Sequence, residues 1–391
     1  MGKRVLVLTE NMSVPFDRRV WQESLALADA GYEVTVVCPR GAAHDTEPEA
    51  QIEGVRILRF PLRESSGARA GFVREYATAL AWMARLSIPL GRFDAVHMTN
   101  PPDLLFLVGL AHRLRGARIV FDHHDLAPEL YTSRFDRGPD AVHRILLALE
   151  RATFAVADLV ISTNESYRKV ALSRGRKAPR EVVVVRNGPA AERFPATEAD
   201  PALRRGKPHL LCYVGVMGPQ DGVDGALRAL AHLRDDLGRT DWHAAFVGAG
   251  ESRNEAMRLA TRLGLDDLVT FTGRVSDADL VRHLATADVC LAADPPSPLN
   301  DVSTMTKVME YMTMGRPIVS FDLPETRISA ADAALYARDE PDFARLLARL
   351  MDDPGERERM GGIGMERIRG GLSWEHSRAA LLVAYARLLG G

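Results

Sequence analysis

The stretch Asn300–Pro317 reads N-D-V-S-T-M-T-K-V-M-E-Y-M-T-M-G-R-P and carries the residues best placed for chemistry. Met305, Val308, Met309, Met312 and Met314 recur at helical spacing, Ser303 or Thr304 offers a capping hydroxyl, and Gly315 followed by Pro317 ends the run. Only Lys307 and Glu310 interrupt this apolar body, three apart and so on one helix face. The start of such a helix combines free N–H groups with the positive end of the helix dipole, which suits a phosphate. The same residues would equally build a packing helix with Lys307 and Glu310 paired at its edge.

Glycines at the ends of strand-like runs form a second group. His209–Val214 leads into Gly215-Val216-Met217-Gly218 and on to Gly222, Ala244–Val247 into Gly248-Ala249-Gly250, and Leu268–Phe271 into Thr272-Gly273-Arg274-Val275. Turns with so little side-chain bulk let backbone amides approach a phosphate, although a plain strand-to-helix turn would use the same residues. The spacing matches neither the dinucleotide fingerprint nor a Walker loop. Three consecutive strands ending this way favour a nucleotide site.

Metal chemistry is poorly supported. His123 and His124 are adjacent at the end of a strand-like run, where neighbours face opposite sides, so a shared ion is disfavoured. Asp277-Ala278-Asp279 follows Ser276 and reads as a helix cap. We expect no obligatory metal.

The elements that must position these residues alternate along the chain. Arg4–Thr9, Glu33–Cys38, Val55–Phe60, Ala95–Met98, Arg118–Phe121, Leu159–Ser162 and Val182–Val185 are short runs rich in Val, Ile and Leu with little polar alternation, as in a parallel sheet covered on both faces. Amphipathic segments lie between them. Asn187–Pro201 is rich in Gly, Pro and Ala without periodicity and reads as a linker, after which a second alternation starts at His209. The fold expected is α/β: two Rossmann-like doubly wound domains facing a cleft, residues 1–190 and 197–373, with a terminal helix from Trp374 packing back on the first. The final helical region should break at Gly361–Gly362 and Gly370–Gly371.

With 391 residues, 46% hydrophobic and 26% charged, the chain can form two cores. A net charge of −2 gives no electrostatic case for nucleic acid. Cys38, Cys212 and Cys290 each sit in an apolar run, as reduced thiols of a cytoplasmic protein would, and Met1 leads straight into a strand, without a signal peptide.

The chain as a whole resembles a GT-B glycosyltransferase of the family 4 type, which is retaining and uses nucleotide sugars. The resemblance lies in DRRVWQESLALADAGYEVTVVCPRG, FDHHDLAPEL, ADLVISTNES, VVRNGPAAERF, LLCYVGVMG, AFVGAGES, VTFTGRV, KVMEYMTMGRPIVS and SWEHSRAALLVAYARLL, in the family's order and over nearly the full length. It implies that His124 and Asp125 match the H-D pair of the acceptor domain, with His124 beside the sugar and leaving phosphate. Glu310 would accept hydrogen bonds from the ribose hydroxyls. Gly215 and Gly218 would admit the diphosphate of a UDP- or GDP-sugar, and Thr272 to Val275 would border the base.

Two positions depart from the family pattern. Val302 stands where a first glutamate usually precedes Glu310, with Asp301 one place off. Met217 and Gln220 or Asp221 replace the Arg and Lys that follow the first glycine of the second domain. Lys307 and Arg274 are the cations left to neutralise a diphosphate.

The acceptor side carries less information. Asn11–Arg19 (NMSVPFDRR) would overhang the cleft, with Phe16, Arg18 and Arg19 available to an acceptor and Asn100 at the end of a neighbouring strand. Arg18 and Arg19 could meet an anionic group or begin a solvated helix. Gly67–Leu90, with Phe72, Val73, Tyr76, Trp82 and Met83 among Arg69, Arg74 and Arg85, could rest on a membrane near a lipid-linked acceptor or pack on its own sheet. The six basic residues of Arg168–Arg180 read as an exposed face. The acceptor is unidentified, and the state is monomer or homodimer. The competing functions are a nucleotide-sugar binder without transfer activity and a sugar-nucleotide epimerase.

Overall fold

A computed structural model describes residues 2–41, 44–62, 69–135 and 140–390. The chain divides into two compact units, Met1–Arg186 with Ser377–Gly391, and Asn187–His376.

The first unit contains β1 (Arg4–Leu8), β2 (Glu33–Pro39), β3 (Glu49–Ile52), β4 (Val55–Phe60), β5 (Ala95–Thr99), β6 (Arg118–His123), β7 (Leu159–Ser162) and β8 (Val182–Val184). Their order is β3-β4-β2-β1-β5-β6-β7-β8. All pairs are parallel except β3 with β4, and Val5 lies opposite both Val34 and Ala95. Leu6, Leu8, Val37 and Val96 are buried in the core, which explains the unbroken apolar runs. β3 escaped the sequence reading because an edge strand of Glu-Ala-Gln-Ile needs only half of itself covered.

The second unit contains β9 (His209–Val214), β10 (Trp242–Val247), β11 (Val269–Gly273), β12 (Val289–Ala292), β13 (Ile318–Phe321) and β14 (Ala334–Ala337), all parallel, in the order β11-β10-β9-β12-β13-β14. Each sheet reverses its winding at one point, β1 against β5 and β9 against β12, and the carboxyl ends of strands there are where such sheets open a crevice.

The helix Arg69–Ser87 buries Ala79 and Met83 against its sheet, while Val73 is 71% exposed beside outward-facing Arg74 and Arg85. Gly67 lies outside the described residues. Short helices at Ala127–Phe135 and Pro324–Ala330 were not foreseen. Gly361 and Gly362 do not break the terminal region: the helix Pro354–Arg367 runs through them. A Cβ on Gly361 would stand 2.1 Å from the Gly315 carbonyl oxygen, so glycine there lets two helices approach closely. The breaks fall at Asp353, between the helices Glu340–Asp352 and Pro354–Arg367, and at Gly371, within the expected Gly370–Gly371 pair.

Candidate nucleotide and sugar site

In the second unit the three glycine-ended strands interlock. Gly215 N–H donates to Val247 O at 3.0 Å, Gly248 N–H to Gly273 O at 3.0 Å, and Met217 N–H to Ala249 O at 3.0 Å. Gly248 has φ +145°, and a Cβ there would stand 1.8 Å from Gly215 O, so no other residue fits. Gly218 N–H donates to Asp221 Oδ2 at 2.8 Å. Four of the amides expected to approach a phosphate, those of Gly215, Met217, Gly218 and Gly248, donate within the protein. Met217 is fully buried in the core and Val216 is 63% exposed, so of the two side chains only Val216 faces outward.

The helix of the opening stretch spans Thr306–Thr313, with Met305 at its cap position. Neither predicted hydroxyl caps it. Ser303 Oγ donates to Leu299 O at 2.7 Å and Thr304 Oγ1 to Glu325 Oε1 at 3.1 Å, because the loop before the helix folds back on its own neighbours. Asn300 holds that loop, its Nδ2 donating to Gln220 O and Pro295 O, each at 2.9 Å.

Lys307 is buried, and its Nζ lies 2.5 Å from Asp294 Oδ1, 3.6 Å from Asp221 Oδ1 and 5.1 Å from the Tyr213 ring centroid. Burial alone would lower its pKa, but the carboxylates of Asp294 and Asp221 hold it above the usual lysine range. A Cβ on Gly215 would come 3.2 Å from Lys307 Cε, so the ammonium stem runs directly beneath the β9 turn. The lysine knits the ends of β9 and β12 to the helix at the winding reversal. Its charge is thereby balanced by two acids, a partnership that the reading of Lys307 as a cation for diphosphate did not include. Arg274 is exposed on the loop after β11, and Thr272 Oγ1 donates to Gly273 O at 2.7 Å.

Glu310, one turn beyond Lys307, is buried and pairs through Oε1 with Arg193 Nη1. Burial raises its pKa against the opposing pull of Arg193. Arg193 belongs to the turn Ala191–Arg193, inside the segment read as a linker, where the stretch VVRNGPAAERF entered the family resemblance without a role for this arginine.

In the first unit, His124 Nδ1 lies 3.0 Å from Asp122 Oδ2, and Arg19 grips the same carboxylate with Nε at 2.8 Å and Nη2 at 2.6 Å. Burial would depress the imidazole, but Asp122 holds His124 above its ordinary pKa. Asp122 itself stays well below the carboxylate range: burial pushes it up, and Arg19 and His124 overcome that. Asn100 Oδ1 accepts the N–H of His124 at 3.0 Å and of Asp125 at 3.1 Å, while its Nδ2 donates to Asp125 O at 2.7 Å. One amide thus fixes the backbone that presents His124. Burial raises the Asp125 carboxyl.

The two histidines separate cleanly. His124 has 12% of its side chain exposed, whereas His123 has 0% and sits 3.4 Å from Glu150 Oε1 among Phe121, Phe154 and Tyr167. Arg174 turns inward to pair with Glu150 and Glu129, so the basic run Arg168–Arg180 is not wholly an exposed face. Arg19 is likewise committed, with Nη2 also 3.0 Å from Glu23 Oε1, so it is not part of a solvated helix start. Arg18 is exposed, and Phe16 N–H donates to Asp45 Oδ2 at 3.3 Å.

Glu23, His97 and Asp122 bring ligand atoms within 4.8 Å of one another, a spacing a metal could use. The donor set does not fit one well, because Arg19 already supplies the cation to both carboxylates. Ser276 Oγ accepts the Asp279 N–H at 3.1 Å, so Asp277–Asp279 opens a capped helix.

Two doubly wound sheets, parallel but for the β3–β4 pair, with polar groups gathered at their strand carboxyl ends are the architecture of the GT-B glycosyltransferases. Residues 17–188 match the glycosyl transferase 4-like domain and residues 208–353 the glycosyl transferases group 1 domain, and the chain belongs to this family. The D-inositol 3-phosphate glycosyltransferase of Thermomonospora curvata is 30% identical over 325 residues, 75% of this chain and 73% of that protein. Among solved structures, sucrose-phosphate synthase of Thermosynechococcus elongatus superposes with TM-score 0.75 at 18% identity over 99% of both chains. Anabaena HepE in complex with UDP-glucose gives TM-score 0.75 at 15% identity over 98% of this chain and 99% of its own.

Proposed function

We propose that the enzyme transfers a glycosyl group from a UDP- or GDP-sugar to an acceptor hydroxyl with retained anomeric configuration. We assign the nucleotide to the second unit and, as the resemblance implies, a role toward the sugar to His124. The bond from the anomeric carbon to the diphosphate oxygen breaks with its electron pair leaving on the diphosphate, the acceptor oxygen bonds to the same face, and its proton leaves with the diphosphate. Charge building on the diphosphate makes departure the costly step. With Lys307 committed, Arg274 and the N–H groups that open the Thr306–Thr313 helix are the groups we assign to that charge.

The observation that carries the reading is Glu310: a buried carboxylate on the helix beside the glycine-ended strands, with one oxygen held by Arg193. HepE, of the same fold, was solved with UDP-glucose, which supports the donor class. Glu310→Gln should weaken UDP or GDP binding about tenfold or more, since a charged hydrogen-bond acceptor is lost without change of shape, and it should also lower Tm by unpairing the partly exposed Arg193. Titration calorimetry measures this, and undiminished affinity in the variant sinks the ribose role. Release of nucleoside diphosphate only when acceptors are added separates transfer from simple binding, a reading favoured by Met217 and Asp221 at the usual cation positions.

We assign the acceptor to a lipid-linked sugar, a polysaccharide precursor or a small metabolite in the cytoplasm, where the three buried, unbridged cysteines would persist. No helix among the described residues is long and apolar enough to cross a membrane. The outward face of Arg69–Ser87, with Val73, Arg74, Trp82 and Arg85, is the surface we propose for peripheral contact. Sedimentation with phosphatidylglycerol vesicles should exceed that with neutral vesicles, and equal recovery counts against it.

A further inference from the structure

We infer that Arg193 is a positioning residue of the nucleotide site, holding Oε1 of Glu310 so that Oε2 is presented to the ribose hydroxyls of the donor. The inference rests on the donor reading above and adds to it a residue outside every strand-end glycine turn and outside the Thr306–Thr313 helix.

One hydrogen bond and two looser contacts surround the guanidinium. Its Nη1 meets Glu310 Oε1, its Nε lies 3.4 Å from Asp277 Oδ2 at the start of the helix Asp277–Thr286, and its Cζ lies 5.0 Å from the Phe194 ring centroid. Phe194 in turn packs into the core with Leu210, Val308 and Met309, so the short turn that carries Arg193 is pinned to the same body as Glu310. Arg193 keeps 21% of its side chain exposed, at the edge where a ligand would arrive. Among the described residues no protein group hydrogen-bonds Glu310 Oε2, so the pair leaves one acceptor oxygen uncommitted.

The charged groups facing Glu310 are Arg193, Asp277 and Lys307. Burial and Asp277 both favour the protonated carboxyl, and Lys307 is spent on Asp294 and Asp221. Arg193 is therefore the group that keeps Glu310 an acceptor. Without it the carboxyl binds a proton at higher pH, loses its preferred orientation, and offers a ribose hydroxyl a weaker partner.

The test is calorimetric titration of the full chain and of Arg193→Met and Arg193→Lys with UDP and GDP, in their ribose and deoxyribose forms, from mildly acidic to mildly alkaline pH. We expect Arg193→Met to weaken the ribose form about tenfold at neutral pH, with the deficit growing toward acid and shrinking toward alkali. Its preference for ribose over deoxyribose should fall, and Arg193→Lys should recover part of both. A deficit equal at every pH with the ribose preference intact would show that the pair only braces the fold, and overturns the inference. Wild-type binding with an Arg193→Met variant indistinguishable from it overturns the inference alone. Failure of the wild type to bind either nucleotide overturns the donor reading, and this inference with it.

Discussion

Lys307→Met is expected to destabilise the second unit by about 3–5 kcal/mol, the usual effect of removing one member of a buried ion pair. The methionine fills much of the same volume, so the loss is electrostatic rather than a cavity. Asp294 is buried with its Oδ1 against the ammonium, and Asp221 is held at the turn by the Gly218 N–H. Without Lys307 both acids face one another in a dry site. They can relieve this only by taking up a proton, so the folded variant binds protons more readily than its unfolded chain. Its stability therefore falls as pH rises, and its deficit against wild type narrows in acid. Thermal unfolding at neutral and acidic pH measures both effects, with a Tm lowered by roughly 10 °C at neutral pH. A variant as stable as wild type that loses only nucleoside diphosphate affinity would return Lys307 to the role of a ligand cation, contrary to its placement here.

His124→Ala should reduce kcat by roughly 10²–10³ while leaving nucleoside diphosphate affinity near wild type. The nucleotide is assigned to the second unit and His124 lies in the first, which is why the two constants part. Asp122 fixes Nδ1, and among the described residues no protein group hydrogen-bonds Nε2, the nitrogen left for a ligand. Because the folded pKa is raised, the imidazolium is present below that value and lost as pH rises through it. Activity that needs it should decline along a basic limb. Asp122→Asn removes the carboxylate that lifts His124, so the limb should move to lower pH. Steady-state rates across pH decide the matter: an unchanged kcat in His124→Ala, or a basic limb indifferent to Asp122→Asn, rejects the assignment.

Much of the architecture was legible because parallel strands buried on both faces leave continuous Val, Ile and Leu runs, as in Arg4–Leu8 and His209–Val214. The edge strand Glu49–Ile52 left no such trace. Glycine at three strand ends was legible too, but its meaning shifted: at Gly248 it permits one backbone to lie on another rather than a phosphate to enter. Asp122 was hidden in plain view, since an aspartate before H-H-D reads as part of the strand until Arg19 is seen to grip it from over a hundred residues away. Arg193 was hidden by its setting of Gly, Pro and Ala, where loss of periodicity signals a connector. Ser303 and Thr304 have the chemistry of caps, and only tertiary neighbours reveal that their hydroxyls are spent elsewhere. Local patterns report what a backbone can do, whereas long-range ion pairs report which side chains are still available.

The contact between Tyr385 and His97 has a consequence for biosynthesis. The second unit is one uninterrupted segment, but the first is assembled from both ends of the chain. As the polypeptide leaves the ribosome, β1 to β8 emerge early, with His97, Glu23 and Asp122 lacking the hydroxyl that Tyr385 contributes. The second unit has all its strands in hand before that tyrosine is translated. The half of the enzyme made first is thus the half finished last.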